Sequence, residues 1–438
     1  MTVCSERSTV GTGLRCQATL LFVVSVFFLS SDNTLKLFSV QASSLVAIGM
    51  LYIFVIEGLV TGRFRLKSHP LQGPLFLLLI WALLSLVLSW MDPSKIVPET
   101  VYGYAWTKGA NSPAVRGVSF LIRLFLSVFA IEFIISSVDT KAKFFKVLNT
   151  FIIFYAAACA YGVVQVLLYS VFNYKFGNIV FIPHFRIGGY VGEPQTYGIL
   201  LISGFFPVIA AINSESDGIW FSRRALKGIL VMAMTSLLFS FSVSMLLSVV
   251  VTLLMFSAKI RKRTLLFFLL GAGTVIFLFY DFIKAAIFLK LLGEISTINI
   301  RTLTWILGYN MFAANPLSGV GIGNSPLLAE SVAATLNYRF AVLDFSALRV
   351  TTLNTYLEWG AETGAVGLVI LGYIAVKSWR MGRVRGGGEE FRLVKFAFGG
   401  TLVALCVSAN SYGGALYLGC VALALAMFVS GVMLFNRS

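Results

Sequence analysis

Charged side chains are scarce in this chain of 438 residues. Asp, Glu, Lys and Arg make up 12% of it, whereas soluble domains contain about a quarter. Apolar residues make up 58%, and the mean hydropathy is +0.89. A water-soluble globular protein is therefore excluded, and the composition indicates an integral membrane protein.

Cysteine and histidine are also few, with five Cys and two His. Cys4 and Cys16 precede the first apolar run, and the other three cysteines lie inside apolar runs. The sequence has no Cys-x-x-Cys pair and no Cys/His cluster, which excludes a disulfide framework and a structural zinc site. Because it also lacks an acidic metal motif of the Asp-x-Asp type, we expect no metal and no other cofactor.

Acidic residues are outnumbered by basic ones, 18 to 34, giving a formal charge of +16. The basic residues fall in short clusters between apolar runs, where Lys and Arg set the orientation of membrane helices. A nucleic-acid partner would instead need a continuous basic surface, so we expect none. The expected surroundings are a lipid bilayer.

Apolar runs long enough to cross about 30 Å of hydrocarbon recur along the chain. They lie at about 17–31, 40–60, 71–90, 118–138, 147–172, 196–213, 265–282, 354–376, 396–412 and 416–435. Segment 228–258 is too long for one crossing and has basic clusters on both sides, so we expect a turn near Phe239-Ser-Phe-Ser-Val-Ser244. The pattern predicts an all-α, polytopic helical bundle of about 12 transmembrane helices, forming one membrane domain over residues 1–438.

The distribution of Lys and Arg predicts that both termini lie in the cytoplasm. The first apolar run lacks a following small-residue cleavage site, so we interpret it as a retained helix and not a signal peptide. With this orientation, three long loops lie on the outer face of the membrane, at about 91–117, 173–195 and 283–353. A loop as long as the last is rare unless it is functional.

Part of loop 283–353 has helical periodicity. Ile300, Leu303, Leu307, Met311 and Ala314 form one stripe, and Arg301, Trp305, Gly308 and Phe312 form another. We expect an amphipathic helix along the outer membrane face, ended by Asn315-Pro316. The glycine alternation in Asn315-Pro-Leu-Ser-Gly-Val-Gly-Ile-Gly-Asn324 follows a helix and not a strand, so we interpret it as a tight turn against the bundle and not a dinucleotide loop.

Two outer-face segments contain charged candidates for chemistry. Arg123 lies inside an apolar run, where it costs roughly 2.5 to 3.5 kcal/mol and needs a partner, a water-filled cavity or access to the interface. The second outer loop holds His184, Arg186 and Glu193 within ten residues. The alternatives are structural: Glu193-Pro194 suits the start of a helix, and Arg186 suits a solvated loop.

Glu358 and Glu362 are four residues apart and share one helical face. Thr355 to Glu358 fits a capping box, which is a structural alternative for that carboxylate. Glu362 lies one turn deeper and needs a cavity or a cation.

These segments together resemble the O-antigen polymerase and ligase superfamily. The resemblance covers about residues 180–370: Arg186 before Gly-rich sequence and Glu193-Pro194, then Arg301 leading to Asn315–Asn324, then Asn354-Thr-Tyr-Leu-Glu358 and Glu362-Thr-Gly364. Within it, the chain is similar to the Wzy-type polysaccharide polymerases and the related WaaL-type ligases of bacterial envelopes. The family implies glycosyl transfer at the periplasmic face of the inner membrane, from an undecaprenyl-diphosphate-linked glycan.

The resemblance also implies roles for these residues. Arg186 and Arg301 bind the diphosphate, with Arg123 as a third cation. Glu193 is the first choice for the proton acceptor and His184 the second. Asn354, Glu358 and Glu362 contact substrate. The partners are the lipid-linked donor and acceptor, and a chain-length regulator and a flippase are candidate protein partners.

Two departures bear on the reaction. The ligases place a His where this chain has Leu353, which favours a polymerase, and many relatives carry a Ser-Arg pair where this chain reads Phe241-Ser-Val-Ser244. A ligase stays open if His184 replaces the absent His. A transporter or flippase is the third alternative, although we find neither paired halves nor a charged site at mid-membrane.

Overall fold

The computed structural model describes most of the chain, and nearly all of it is helical. The described residues are 3–28, 42–92 without 63 and 65, 113–256 without 178, 181–185, 190–193 and 241, scattered positions in 266–284, 297–332 without 326, 327, 330 and 331, and 354–436 without 384–387 and 412–418.

Helices α1 to α8 and one small hairpin lie before residue 257. Their bounds are α1 Val3–Phe28, α2 Ala42–Thr61, α3 Gln72–Met91, α4 Pro113–Ser137, α5 Lys141–Phe172, β1 Ile179–Val180, β2 Arg186–Ile187, α6 Pro194–Asn213, α7 Arg223–Phe239 and α8 Val243–Phe256.

The C-terminal part begins with α9 and α10, and its later helices include a π-helical turn. The bounds are α9 Thr297–Ala314, α10 Thr355–Gly382, α11 Glu389–Val394, the π turn Lys395–Gly399, α12 Gly400–Ser408, a short 3₁₀ turn Ala409–Ser411 and α13 Gly419–Phe435.

Seven helices in the described residues are long and apolar enough to cross a membrane. They are α2 to α6, α10 and the continuous α11–α12, and three shorter apolar helices lie at Gly13–Phe27, Ser244–Phe256 and Gly419–Phe435. The prediction of a helical membrane protein is confirmed. The apolar run at 265–282 lies largely outside the described residues.

The predicted break inside segment 228–258 is confirmed. α7 ends at Phe239 and α8 begins at Val243. α7 packs on α5 and α6, whereas α8 packs mainly on α12. The two helices therefore diverge at the break.

Helix ends follow ordinary capping chemistry. Thr140 caps α5 by accepting a hydrogen bond from Lys143 N, and Asn173 ends the same helix in the left-handed region with φ 49°. Ser222 caps α7 by accepting from Ala225 N. Short polar side chains thus cap the starts of α5 and α7, and a left-handed backbone conformation ends α5.

α6 is the central helix of the bundle. Its membrane-length window is 89% buried, whereas that of α2 is 22% buried. α6 contacts α5, α7, α8 and α12. The hairpin β1–β2, which the all-α prediction did not include, lies in the loop just before α6.

Candidate functional site

Arg186 lies on β2, which the packing of neighbouring residues holds against the bundle. Ile187 is fully buried, and β2 contacts α5 and α7. Gly189 follows with φ +59°, and a side chain there would overlap the ring of Tyr197 in α6. The close approach of this loop to α6 therefore requires glycine.

The Arg186 side chain reaches the break between α7 and α8. Its Nε donates a 3.1 Å hydrogen bond to the carbonyl oxygen of Ser240, the residue that follows α7. The last carbonyls of a helix lack helical donors and carry partial negative charge, so a cation is stabilising there. Arg186 is half-buried. It is therefore a structural residue as well as a candidate for substrate binding.

The break itself is rich in buried serine. Ser240 and Ser242 are buried, and the Ser248 hydroxyl donates a 2.6 Å hydrogen bond to the carbonyl of Ser244. Serine hydroxyls bond to nearby carbonyls in this way inside and beside helices. The guanidinium at this break comes from Arg186 on the hairpin.

Arg301 lies in the first turns of α9, which packs against α10. Leu303, Leu307 and Met311 are buried and form a cluster with Ala361 of α10. Arg301 is half-buried, and burial lowers the pKa of its guanidinium from the ordinary value. A cation that is partly removed from water interacts more strongly with an anion than an exposed cation does.

The predicted apolar stripe of α9 is only partly correct. Its three central members are buried, but Ala314 is exposed. Gly308, which the sequence places on the other stripe, is buried. The helix ends at Ala314, immediately before Asn315-Pro316, as predicted. The burial of a residue on the opposite stripe shows that α9 is covered on more than one side.

The Gly-rich segment after α9 binds to a break in α10, which confirms its interpretation as a turn against the bundle. α10 leaves helical geometry at Gly364, which has φ +69°. Three backbone hydrogen bonds of 2.7 to 3.0 Å join the two segments. They run from Val320 N to Ala361 O, from Gly321 N to Glu362 O and from Ala365 N to Pro316 O. The carbonyls exposed by the break are thereby satisfied.

Glycine is required on both sides of this contact. Gly319 has φ +68°, and a Cβ there would overlap the backbone of Glu362. A Cβ at Gly364 would likewise overlap the backbone of Leu317. The motifs containing Arg301 and Glu358 are therefore one packed unit, although about thirty residues of sequence lie between them.

Glu358 and Glu362 lie four residues apart in α10, as predicted, and both are buried. The Glu362 carboxylate accepts a 2.7 Å hydrogen bond from the hydroxyl of Ser325. Ser85 of α3 donates to the backbone carbonyl of Glu362 at 2.7 Å and to that of Ser318 at 2.9 Å. α3, the Gly-rich segment and α10 thus meet at Glu362.

Asn354 is the N-cap of α10. Its Oδ1 accepts from Tyr356 N at 3.0 Å and from Leu357 N at 3.1 Å. The expectation that Thr355 begins a capping box is wrong by one residue, because Asn354 has the extended backbone that an N-cap requires. Its side chain accordingly holds the start of the helix that carries Glu358.

Arg123 lies in α4 and is half-buried. Its guanidinium carbon is 5.6 Å from the ring centroid of Phe120, one turn earlier in the helix. Such a cation–π contact stabilises a charge in partly apolar surroundings. His184 and Glu193 lie outside the described residues. Pro194, the first residue of α6, is buried, in agreement with the predicted helix start.

The sequence interpretation missed a buried pair at the other end of α4. His69 Nε2 and Glu132 Oε1 lie 2.8 Å apart, and both side chains are almost fully buried. Gln72 Nε2 lies 3.4 Å from the second oxygen of Glu132. Glu132 stands inside the apolar run at 118–138, so the argument that singled out Arg123 also applied to it.

The described contacts thus place the candidate residues in two groups. Arg186 belongs with α5, α7 and the serine-rich break. Arg301, Asn354, Glu358 and Glu362 belong to the unit formed by α9, the Gly-rich segment and α10. No family model and no curated protein matches this chain.

Proposed function

We propose that this protein is a metal-independent membrane glycosyltransferase that polymerises undecaprenyl-diphosphate-linked oligosaccharide repeat units of an O-antigen or another surface polysaccharide. The observation that carries the proposal is the docking of the Gly-rich segment into the break of α10. This contact joins Arg301 on α9 to the buried Glu358 and Glu362 on α10. Two of the three motifs that resemble the polymerase superfamily therefore form one structural unit.

The two arginines suit a diphosphate leaving group. Arg side chains stay charged and bind phosphate oxygens through two parallel hydrogen bonds. The bond from Arg186 to Ser240 fixes the direction of its guanidinium, and burial strengthens the charge interaction of Arg301. In the proposed reaction, both cations stabilise the negative charge that develops on the diphosphate as the glycosidic bond forms. Arg123 is the third phosphate contact.

The remaining candidates act on the sugars. A hydroxyl of the acceptor attacks the anomeric carbon of the donor, and its proton passes to Glu193, with His184 as the second choice. Glu358 and Glu362 bind substrate hydroxyls, and Asn354 positions them by capping α10. The bond between the anomeric carbon and the diphosphate oxygen breaks, and the diphosphate-linked lipid leaves with its electrons.

The proposed setting is the bacterial inner membrane, with about 12 crossings, both termini in the cytoplasm and loop 283–353 in the periplasm. The basic residues at the starts of α5 and α7 support this orientation, because such residues favour the cytoplasmic side. The lipid bilayer and the lipid-linked donor and acceptor are the partners, together with a flippase and a chain-length regulator.

The test is genetic complementation followed by analysis of the surface glycan. Deletion of the gene should leave glycan with a single repeat unit, and the intact gene should restore the polymer. Arg301→Ala should reduce polymer by about 30-fold or more, because losing a buried charge contact costs about 2 to 5 kcal/mol. Lys175→Ala removes an exposed cation after α5 and should leave polymer unchanged.

Two outcomes of the deletion would refute polymerase activity. Accumulation of full-length lipid-linked polymer would indicate a ligase. Retention of lipid-linked repeat units on the inner leaflet would indicate a flippase. Full polymer from the Arg301→Ala variant would remove that residue from the mechanism.

A further inference from the structure

A long apolar groove runs along α10 on the side away from α3 and α9. Its volume is about 1850 Å³. It extends from Tyr356 at the start of α10 to Arg383 at its end, so it follows the full length of this helix. The apolar walls come from α10, α12 and α13 and include Leu368, Leu371, Ile374, Leu402, Val403 and Leu425.

α10 contacts the opposite wall of the groove at the N-terminal end of the helix. The hydroxyl of Tyr356 donates a 2.8 Å hydrogen bond to the carbonyl of Cys406, which ties α10 to α12 there. Below that point α10 packs mainly on α3 and α9. A Cβ at Gly372, which lines the groove, would meet no atom within 4 Å. The groove is therefore open at Gly372.

The end of the groove near Arg383 is basic. The Arg383 guanidinium carbon lies 5.2 Å from the ring centroid of Trp379, and Lys395 Nζ lies 4.3 Å from that of Phe391. All four residues line the groove, as does Arg392. Aromatic faces thus hold cations at the groove wall.

The two acidic residues at this end are engaged with other protein groups. The Glu389 carboxylate accepts a hydrogen bond from the backbone N–H of Glu215, and the Glu215 carboxylate pairs with Arg223 at 3.6 Å. The lining contains three cations, Arg383, Arg392 and Lys395, and two carboxylates, Glu215 and Glu389, so its net charge is positive. This end is complementary to an anion.

We propose that the groove binds one anionic glycerophospholipid, with its phosphate at Arg383, Arg392 and Lys395 and its acyl chains between α10 and α12. Apolar walls match acyl chains, and basic pockets between membrane helices bind anionic headgroups. In the proposed orientation the basic end faces the cytoplasmic leaflet. The diphosphate of a polyprenyl-linked substrate would lie at the opposite end, beside Tyr356, so the position of the cations favours a phospholipid of the inner leaflet.

The test measures lipid binding to the purified full-length protein in detergent by native mass spectrometry, with phosphatidylglycerol and phosphatidylcholine as probes. Phosphatidylglycerol should bind and phosphatidylcholine should not. The double variant Arg383→Gln/Arg392→Gln should weaken binding by about 30-fold, since each cation near the surface contributes about 1 kcal/mol. Arg224→Gln/Lys227→Gln, on α7 outside the groove, is the matched control and should bind as the unmodified protein does.

A second pair of variants tests the groove itself. Gly372→Trp should fill the groove and abolish the adduct. Gly49→Trp is the control, because Gly49 is also exposed on an apolar helix with open space around it and does not line the groove. Both double variants change exposed or half-buried residues, so they test the proposal even if a tryptophan variant fails to fold.

Three results would overturn the proposal. Equal binding of phosphatidylcholine would show that charge does not select the lipid. If Arg383→Gln/Arg392→Gln lost binding but Gly372→Trp did not, the lipid would be attracted to the charged surface without its acyl chains lying in the groove. Displacement of phosphatidylglycerol by a polyprenyl phosphate at equal concentration would assign the groove to the substrate lipid. None of these results depends on glycosyltransferase activity, so the lipid-binding proposal and the proposed function are tested independently.

Discussion

At the residue scale, Arg186 has one observed role, the hydrogen bond to Ser240, and one proposed role, phosphate binding, and different substitutions separate them. Arg186→Ala removes the donor to Ser240 O, and a hydrogen bond to a charged group contributes about 1.5 to 3 kcal/mol. We expect lower thermal stability and no polymer. Arg186→Lys should recover part of the stability but little polymer, because an ammonium cannot bind phosphate through a planar fork.

Thermal unfolding in detergent and the glycan ladder measure the two roles of Arg186 independently. Lys175→Ala is the control and should change neither. Wild-type polymer from Arg186→Lys would contradict bidentate phosphate binding, because a point charge would then suffice.

For Glu193, one substitution distinguishes a structural role at the start of α6 from a role as proton acceptor. As a residue at the start of α6 it should tolerate Gln with a loss of about 1 kcal/mol or less in the free energy of unfolding. As a proton acceptor it should not, and Glu193→Gln should lower the rate by about 10² to 10⁴. Polymer length and rate are the measurements, with His184→Ala in parallel. Normal polymer from Glu193→Gln and none from His184→Ala would move the base to His184.

The buried carboxylate of Glu362 accepts a hydrogen bond from the Ser325 hydroxyl. Glu362→Ala should lower the free energy of unfolding by about 1 to 3 kcal/mol, because Ser325 is left buried without its acceptor. Glu362→Gln should lose less, since the amide oxygen can accept the same bond. Asp217→Ala, at an exposed acidic residue, is the control for thermal unfolding. If Gln destabilises as much as Ala, the charge itself is required.

Sequence reasoning identified residue types at this scale but not their partners. A lone charge in an apolar run is visible, as for Arg123, and the argument extends to Glu132. The donors and acceptors come from distant segments: Ser240 is 54 residues from Arg186, and His69 is 63 residues from Glu132. Such pairs depend on which helices pack together, and periodicity carries no information about that.

At the element scale, the contact between the Gly-rich segment and α10 should depend on two glycines. Gly364→Ala or Gly319→Ala places a Cβ on a residue with positive φ. The added Cβ would also overlap the backbone of the segment packed against it. Backbone strain of this kind costs about 1 to 3 kcal/mol before any overlap. We expect both variants to be less stable and to lose polymer.

Gly372→Ala is the matched control, since this glycine is helical and has open space around it. It should be neutral or more stable by about 0.5 to 1 kcal/mol. Thermal unfolding in detergent and the glycan ladder are measured for all three variants. Equal behaviour of Gly364→Ala and Gly372→Ala would mean that the contact does not limit stability.

Hydrophobic periodicity predicted the helices well because length and apolarity are local properties. The run at 71–90 became α3, Gln72–Met91, and the basic clusters around 228–258 located the break between α7 and α8. The break in α10 was not predicted, because Gly364 in an apolar run is compatible with a continuous helix. Its positive φ becomes favourable only when the Gly-rich segment supplies donors to the exposed carbonyls.

At the scale of the whole molecule, the orientation of the bundle determines whether the candidate site meets periplasmic substrate. α5 gives the sharpest test, because it runs from Lys141 to Phe172 and has an exposed residue beyond its end, Lys175. The three lysines in its first two turns, Lys141, Lys143 and Lys146, favour a cytoplasmic start. Lys175 and the hairpin that carries Arg186 should then face the periplasm, and the segment around Asp217, after α6, should face the cytoplasm.

Single-cysteine labelling measures this directly in a variant whose five native cysteines are replaced by Ser or Ala. A membrane-impermeant maleimide added to spheroplasts should label Lys175→Cys and should label Asp217→Cys only after lysis. Both positions are exposed, so a difference between them reports sidedness and not burial. The variants must first restore polymer, which shows that they are folded. Labelling of Asp217→Cys in intact spheroplasts, with Lys175→Cys protected, would invert the bundle. Arg186 would then face the cytoplasm, which would contradict the proposed function, because that function places the reaction at the periplasmic face.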